Sequence, residues 1–237
     1  MSLPVFIAED LTGESVTLSG AEGKHAVTVM RLAVGERVRL IDAQGSWIEG
    51  AITDTPAKDE AIVSVEKRGQ TPQPHPRVRI VQAIPKSERS ELAVDLATQA
   101  GADEIVAWQA QRCVAKWVGP KAGKHVAKWE SAARAAAKQS RRTRVPEISG
   151  PLTTAEVAQL IAGTPAYVLH ESAEQRLTEV NLDAEVITLI VGPEGGIGED
   201  ELAQLGAQAV RLGPEVYRTA SAAMVGLSAI GALTSRW

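Results

Sequence analysis

From Gly69 to Pro76 the chain reads Gly-Gln-Thr-Pro-Gln-Pro-His-Pro, with proline at every second position from 72 to 76. Proline lacks an amide hydrogen and fixes φ, so this stretch continues neither a sheet ladder nor a helix. It separates two parts of different character, which are read as domains 1–72 and 73–237. Before it, Val16–Leu18, Arg37–Ile41, Ser46–Thr53 and Ala61–Lys67 are short β-prone runs between Gly20, Gly23, Gly35, Gly45 and Pro56. That pattern predicts a small β-barrel. After it, strand-like runs at Val78–Ile84, Glu104–Trp108, Ala166–His170, Val186–Val191 and Ala209–Leu212 alternate with helical runs at Ser87–Ala100, Ala122–Ser140, Thr153–Ala162 and Thr219–Thr234. Alternation of this kind predicts an α/β domain with a mainly parallel sheet covered on both faces.

Three strand ends in the last third open into small or polar loops. They are Leu169-His170-Glu171-Ser172, Gly192-Pro193-Glu194-Gly195-Gly196, and Leu212-Gly213-Pro214-Glu215-Val216-Tyr217-Arg218-Thr219-Ala220-Ser221. Parallel sheets bind ligands beyond the carboxyl ends of their strands, so the three loops are expected to converge. The middle loop follows a β-branched run and precedes the helix-starting acids Glu199, Asp200 and Glu201. Its glycines permit close approach of a ligand to the backbone, but they equally suit an ordinary turn between a strand and a helix. Neither the triphosphate-binding nor the dinucleotide-binding glycine motif is present.

Charge is distributed unevenly. Between Arg112 and Arg144 stand ten basic residues and one acid, Glu130, a net +9 in a chain whose total is −4. Such a segment points to a polyanionic partner. On the helix from Ala122, Val126, Trp129, Ala133 and Ala137 share one face, and Lys121, Lys124, Lys128 and Lys138 form a stripe opposite. The stripe fits phosphate contact or plain solvation. Trp117 and Trp129 fit base stacking or the core, with Trp129 on the core side. One cysteine, Cys113, and four scattered histidines leave no disulfide framework or zinc spacing, so no metal is expected. The N-terminus has no basic region followed by an apolar one, and Ala220–Leu233 is too short and too rich in small residues to span a bilayer. The expectation is a cytoplasmic protein without a membrane role.

Taken in order, several motifs resemble the ribosomal small-subunit methyltransferase E family of the SPOUT superfamily. They are Gly23-Lys24-His25, Val29-Met30-Arg31-Leu32, Lys138-Gln139-Ser140 with Arg142, Arg144-Val145-Pro146-Glu147-Ile148, Val191-Gly192-Pro193-Glu194-Gly195-Gly196 with Glu201, and Leu212-Gly213-Pro214 with Arg218. The resemblance covers nearly the whole chain. It implies a PUA-like N-terminal β-barrel and a C-terminal SPOUT domain with a trefoil-knotted backbone and parallel sheet. It also implies a homodimer that uses S-adenosyl-L-methionine to methylate N3 of a uridine in 16S rRNA of the small ribosomal subunit. General topology rules argue against a knot, so only the resemblance carries it. The apolar helix Thr219–Thr234 fits either a dimer interface or a buried core helix.

On this resemblance the cofactor is expected against Leu169, His170, Glu171, Gly192, Pro193, Glu194, Gly195, Gly196, Leu212, Gly213, Tyr217, Arg218, Thr219, Ser221 and Ala222. RNA is expected on Lys24, His25, Arg31, Arg112, Lys121, Lys124, Lys128, Lys138, Arg141, Arg142 and Arg144. Uracil N3 must lose a proton before it attacks, which suits Arg218 to stabilising the ring anion and Glu194 either to accepting the proton or to hydrogen-bonding the cofactor. Two structural roles compete with these: Arg218 pairing with Glu194 or Glu215, and Glu194 capping a helix. The family's third loop carries Arg, one variable residue, then Glu-Thr-Ala. Here Ala220 stands at the acid's place, and Gln99-Ala100-Gly101 departs from a usual Glu-Leu-Gly helix end. Two alternatives remain open at this point: a ribose 2′-hydroxyl RNA methyltransferase of the same superfamily, and a noncatalytic RNA-binding protein.

Overall fold

Val38, Leu40, Ile48 and Ile52 alternate with Arg39, Glu49 and Ala51, and it is the first set that a five-stranded sheet buries. The computed structural model describes residues 3–237, with Ser87 and Glu88 described by their backbone alone. The chain divides into two units, one running to Gln73 and also taking in Ala137–Val145, the other holding Pro74–Ala136 and Pro146–Trp237.

The first unit contains β1 (Val5–Ile7), β2 (Ser15–Leu18), α1 (Gly20–Lys24), a wide π turn over His25–Val29, β3 (Arg37–Ile41), β4 (Ser46–Ala57) and β5 (Glu60–Gln70). Their order in the sheet is β1-β3-β4-β5-β2, parallel at β1–β3 and antiparallel elsewhere. Phe6, Leu18, Leu40, Ile48 and Val63 fill its core. Both hairpin strands run longer than their apolar patterning suggests: β4 continues to Ala57 beside the turn at Lys58-Asp59, and β5 continues past Lys67 to Gln70, pairing with the start of β4 at the other end. Ala137–Val145 joins this unit by backbone hydrogen bonds, Gly45 N–H to the Thr143 carbonyl (3.1 Å) and Val145 N–H to the Ala43 carbonyl (3.0 Å).

In the second unit, β6 (Arg77–Ala83), α2 (Ser87–Gln99), β7 (Glu104–Trp108), α3 (Ala122–Gln139, its last turn belonging to the first unit), β8 (Glu147–Leu152), α4 (Thr154–Ile161), β9 (Ala166–Leu169), β10 (Val186–Val191), α5 (Glu199–Leu205), β11 (Gln208–Val210) and α6 (Thr219–Leu233) follow in turn. All six strands pair in parallel, in the order β11-β9-β10-β6-β7-β8. The central strands are apolar on both faces, as Ile187, Leu189, Ile190 and Val191 show, because helices cover the sheet on either side. Thr153 opens α4 with a capping box, its hydroxyl accepting the Glu156 N–H while the Glu156 carboxylate accepts the Thr153 N–H.

Trp129 lies in the core as its helix face predicts, donating its indole N–H to Ser90 Oγ at 2.8 Å. Trp117 is buried as well, at 5 % exposure, stacked on His125 and edge-on to Trp129. Neither ring is open for base stacking. One side of α6 is core, through Ala220, Ala223, Leu227 and Ile230, while Met224, Val225 and Ser228 on the other side are half-buried.

A buried charge pair closes the second unit. Arg236 donates from Nη1 to Asp103 Oδ2 at 2.8 Å and to the Pro76 carbonyl, and from Nη2 to the Gly101 carbonyl at 2.5 Å. Asp103 Oδ2 also accepts the Val78 N–H at 2.8 Å. Both side chains are under 5 % exposed, at 4 % and 3 %. Removing one partner strands the other charge in low dielectric. Arg236→Ala is therefore expected to lower unfolding free energy by about 3 to 5 kcal/mol, read by urea denaturation of the purified chain.

Candidate functional site

The three loops following β9, β10 and β11 line one cleft of about 620 Å³, completed by Arg89 from α2 and Arg112 from the loop after β7. The sheet register explains the convergence. Val191 at the end of β10 stands opposite Leu169 at the end of β9, which stands opposite Val210 at the end of β11. His170 N–H bonds to the Val210 carbonyl at 2.9 Å, and Ser172 Oγ lies 2.9 Å from His170 Nδ1.

The glycine loop is a tight turn, closed by Gly196 N–H on the Pro193 carbonyl at 2.9 Å. Gly196 has φ of +71°, a conformation that strains any residue with a Cβ. At Gly192 a Cβ would meet Ile197 Cγ1 at 2.8 Å, and at Gly195 it would meet Arg112 Cβ at 3.2 Å. The buried Ile197 tucks under the loop, and Arg112 lies along it, its Nη1 donating to the Gly195 carbonyl at 3.1 Å.

Every residue assigned to the cofactor lines this cleft except Ser221. Ser221 Oγ turns back to the Arg218 carbonyl at 3.2 Å, the same oxygen that accepts the N–H groups of Ser221 and Ala222. Arg218 is exposed and makes no ion pair among the described residues, so it is bound to neither Glu194 nor Glu215. The Glu194 carboxylate does serve a helix start, accepting the Lys86 N–H at 3.2 Å just before α2. Four arginines (89, 112, 211, 218) and three glutamates (171, 194, 215) line the cleft. Sequence reasoning left Arg89, Arg211 and Glu215 out of the site and placed Arg112 with the RNA contacts. Arg211 directly follows β11, Glu215 stands in the converging third loop and Arg112 in the loop after β7, positions the strand-end rule covers, whereas Arg89 sits in the first turn of α2 and carries no such signal.

The basic residues fall into two sets. In the second unit, Lys121 and Lys124 are exposed, and Lys128 faces Glu91 at 3.9 Å with both side chains more than half exposed. In the first unit, Lys24, Arg31 and Arg141 are exposed, and His25 packs edge-on against Phe6. Lys138, expected on the solvent-facing stripe, is instead drawn into a half-buried ion pair with Glu22 at 2.6 Å. Arg142 is half-buried, and Arg144 donates to the Thr71 carbonyl at 3.0 Å. Cys113 Sγ rests 3.7 Å from the Trp108 carbonyl, and burial pushes its thiol above the ordinary value. Among the described residues no group of His, Cys, Asp and Glu is arranged to hold a metal ion, and no helix is long and apolar enough to cross a membrane.

A parallel α/β unit with its cleft at the strand ends, joined to a small β unit, is the architecture of RNA methyltransferases that carry a PUA domain. The RNA methyltransferase domain model matches residues 71–231, and the RNA methyltransferase PUA domain model matches residues 18–66. The chain is 46 % identical to the ribosomal RNA small subunit methyltransferase E of Mycobacterium bovis over 95 % of its own length and 89 % of that protein. It is 25 % identical to the protein of the same name from Bacillus subtilis, over 90 % and 88 % of the two chains. The crystal structure of a ribosomal RNA small subunit methyltransferase E from Neisseria gonorrhoeae bound to S-adenosyl methionine shares the fold, with a TM-score of 0.87, 22 % identity and 98 % of each chain covered. The chain belongs to the ribosomal RNA small subunit methyltransferase E family.

The loop geometry makes one measurable demand. Gly196→Ala, which forces a Cβ into the left-handed region, is expected to cost about 1 to 2 kcal/mol of stability, measured by urea denaturation. An unchanged midpoint would show that the turn relaxes without strain.

Proposed function

We propose that the chain methylates N3 of a uridine in 16S rRNA, with S-adenosyl-L-methionine in the cleft and the small ribosomal subunit as its setting. The observation that carries this reading is the single cleft formed by the three loops, with Arg218 exposed in it and unpaired among the described residues. The cleft fits such a cofactor in size and lining, because about 620 Å³ of space lies against the loop backbone, where Gly192 and Gly195 let Ile197 and Arg112 pack close enough to hold the turn. Backbone groups of Leu169–Glu171, Gly192–Gly196 and Leu212–Thr219, with Ala222, would hold it. When bound, it supplies an electrophilic methyl group on a sulfonium.

The protein then has two tasks, aligning the base and managing one proton. Arg218 stabilises the negative charge that the uracil carbonyl oxygens gain as N3 is deprotonated. Glu194 spends one oxygen on Lys86 N–H, and its other oxygen is our candidate for accepting the N3 proton. Ala220 is buried at 4 %, so the carboxylates available to the cleft are Glu171, Glu194 and Glu215. The exposed Lys121, Lys124 and Lys128, with Lys24, Arg31 and Arg141, are the groups we assign to rRNA phosphates. The domain limits 1–72 and 73–237, with Ala137–Val145 packed as part of the first unit, the trefoil knot, the homodimer and the cytoplasmic location belong to the same proposal, supported by the family's resemblance.

Arg218→Ala is expected to lower methyl transfer by about 10² to 10³-fold while S-adenosyl-L-methionine binding by calorimetry stays near wild type. Transfer of tritiated methyl to subunits lacking the modification, followed by nucleoside identification, reads both rate and position. Methyl found on a ribose would replace the N3 assignment, and no cofactor binding would leave a noncatalytic RNA-binding protein. Changing Lys121, Lys124 and Lys128 together to Glu is expected to weaken RNA binding and to reduce its log–log salt slope by about one unit per lysine. An unreduced slope would mark the stripe as a solvated face.

A further inference from the structure

Glu201, the third residue of α5, is fully buried at 0 % exposure. Its Oε1 accepts the Gln111 N–H at 3.0 Å and the Thr154 hydroxyl at 2.7 Å. Thr154 Oγ in turn accepts the Trp108 indole N–H at 3.1 Å. One carboxylate oxygen thus ties together α5, the loop after β7, the start of α4 and the end of β7. Glu201 Oε2 is buried and has no hydrogen-bond partner among the described residues, and Glu201 makes no ion pair there.

A buried carboxylate with an orphaned oxygen and no counter-charge is a poor way to gain stability, since an apolar side chain of similar size would avoid the desolvation cost. What it does hold is geometry. Gln111 immediately precedes Arg112, whose Nη1 donates to the Gly195 carbonyl at 3.1 Å. The Arg112 side chain also passes the glycine loop closely, with Cβ 3.2 Å from where a Cβ on Gly195 would stand and Nη2 3.6 Å from the same point on Gly198. Gly198 is the residue that opens α5, and α5 carries Glu201. The contacts form a closed ring from Glu201 to Gln111, Arg112, the glycine loop and back along α5.

We propose that Glu201 is a positioning residue that, through the Gln111 amide, seats Arg112 on the Gly192–Gly196 loop and so fixes the loop in its ligand-ready shape. This rests on the reading of the cleft as the cofactor site. Glu201 touches no cleft space itself and acts through Arg112. Its carboxylate is suited to the task because a charged acceptor holds two donors on one oxygen more firmly than a neutral one.

The test is a double-mutant cycle with Glu201→Gln, Arg112→Ala and the two combined. Two readouts are used: the Kd for S-adenosyl-L-methionine, and hydrogen exchange over residues 192–198 of the free protein. Glu201→Gln is expected to weaken binding roughly tenfold, the scale of one hydrogen bond to a charged group. Arg112→Ala should weaken it at least as much, and the double variant no further than Arg112→Ala alone. Exchange should quicken in both single variants and no more in the double. Equal losses from Glu201→Gln with and without Arg112, or an unchanged Kd and exchange, overturn the proposal. Arg112 is exposed, so Arg112→Ala folds whatever becomes of the buried site, and unchanged exchange in that variant overturns the proposal by itself. If the unsubstituted chain fails to bind S-adenosyl-L-methionine, the methyltransferase reading falls, and the exchange pattern still decides the role of Glu201.

Discussion

Parallel pairing is the constraint from which the site follows. Strands that point the same way end on the same edge, and β9 sits between β10 and β11 in a register that puts Leu169 between Val191 and Val210. Three segments separated in sequence by a strand or a helix therefore leave the sheet side by side, and their loops meet without long excursions. The residues in those loops need little regular structure of their own. A glycine turn, a histidine held by the next strand's carbonyl, and the residues ahead of α6 suffice because the sheet has already placed them.

Much of this was legible in the chain. The alternation after Pro76, the apolar run at Val186–Val191 and the punctuation by glycine and proline mark the parallel domain and the three loops, because each depends on local patterning. The elements that sequence hid are those whose residues carry mixed signals. β8 contains Gly150 and Pro151, which argue against a strand, yet it survives at the edge of the sheet where a missing amide is tolerated. The short α1 and the π turn after it have neither length nor periodicity, and β1 is three residues long. β1 is nevertheless fully buried through Val5, Phe6 and Ile7, while α1 and the π turn bury only Gly23 and Ala26.

Charge was the least transparent signal. A run of ten basic residues looks like one surface, but the fold gives its members different work. Lys138 is neutralised by Glu22, Arg144 is bonded to Thr71, Arg112 lies on the glycine loop, and Lys121, Lys124 and Lys128 stay open to solvent. Sequence spacing places side chains on a helix face. It does not say which of them will meet a partner from a distant strand.

The first unit draws its backbone from two separate stretches, the second of which is Ala137–Val145. Genetic shuffling that exchanged everything up to the proline run would therefore carry off an incomplete piece, with Gly45 and Ala43 missing their partners at Thr143 and Val145. The two halves of this chain cannot be inherited by a single cut. Any recombinant that changes one half must keep, or replace in step, nine residues encoded within the other.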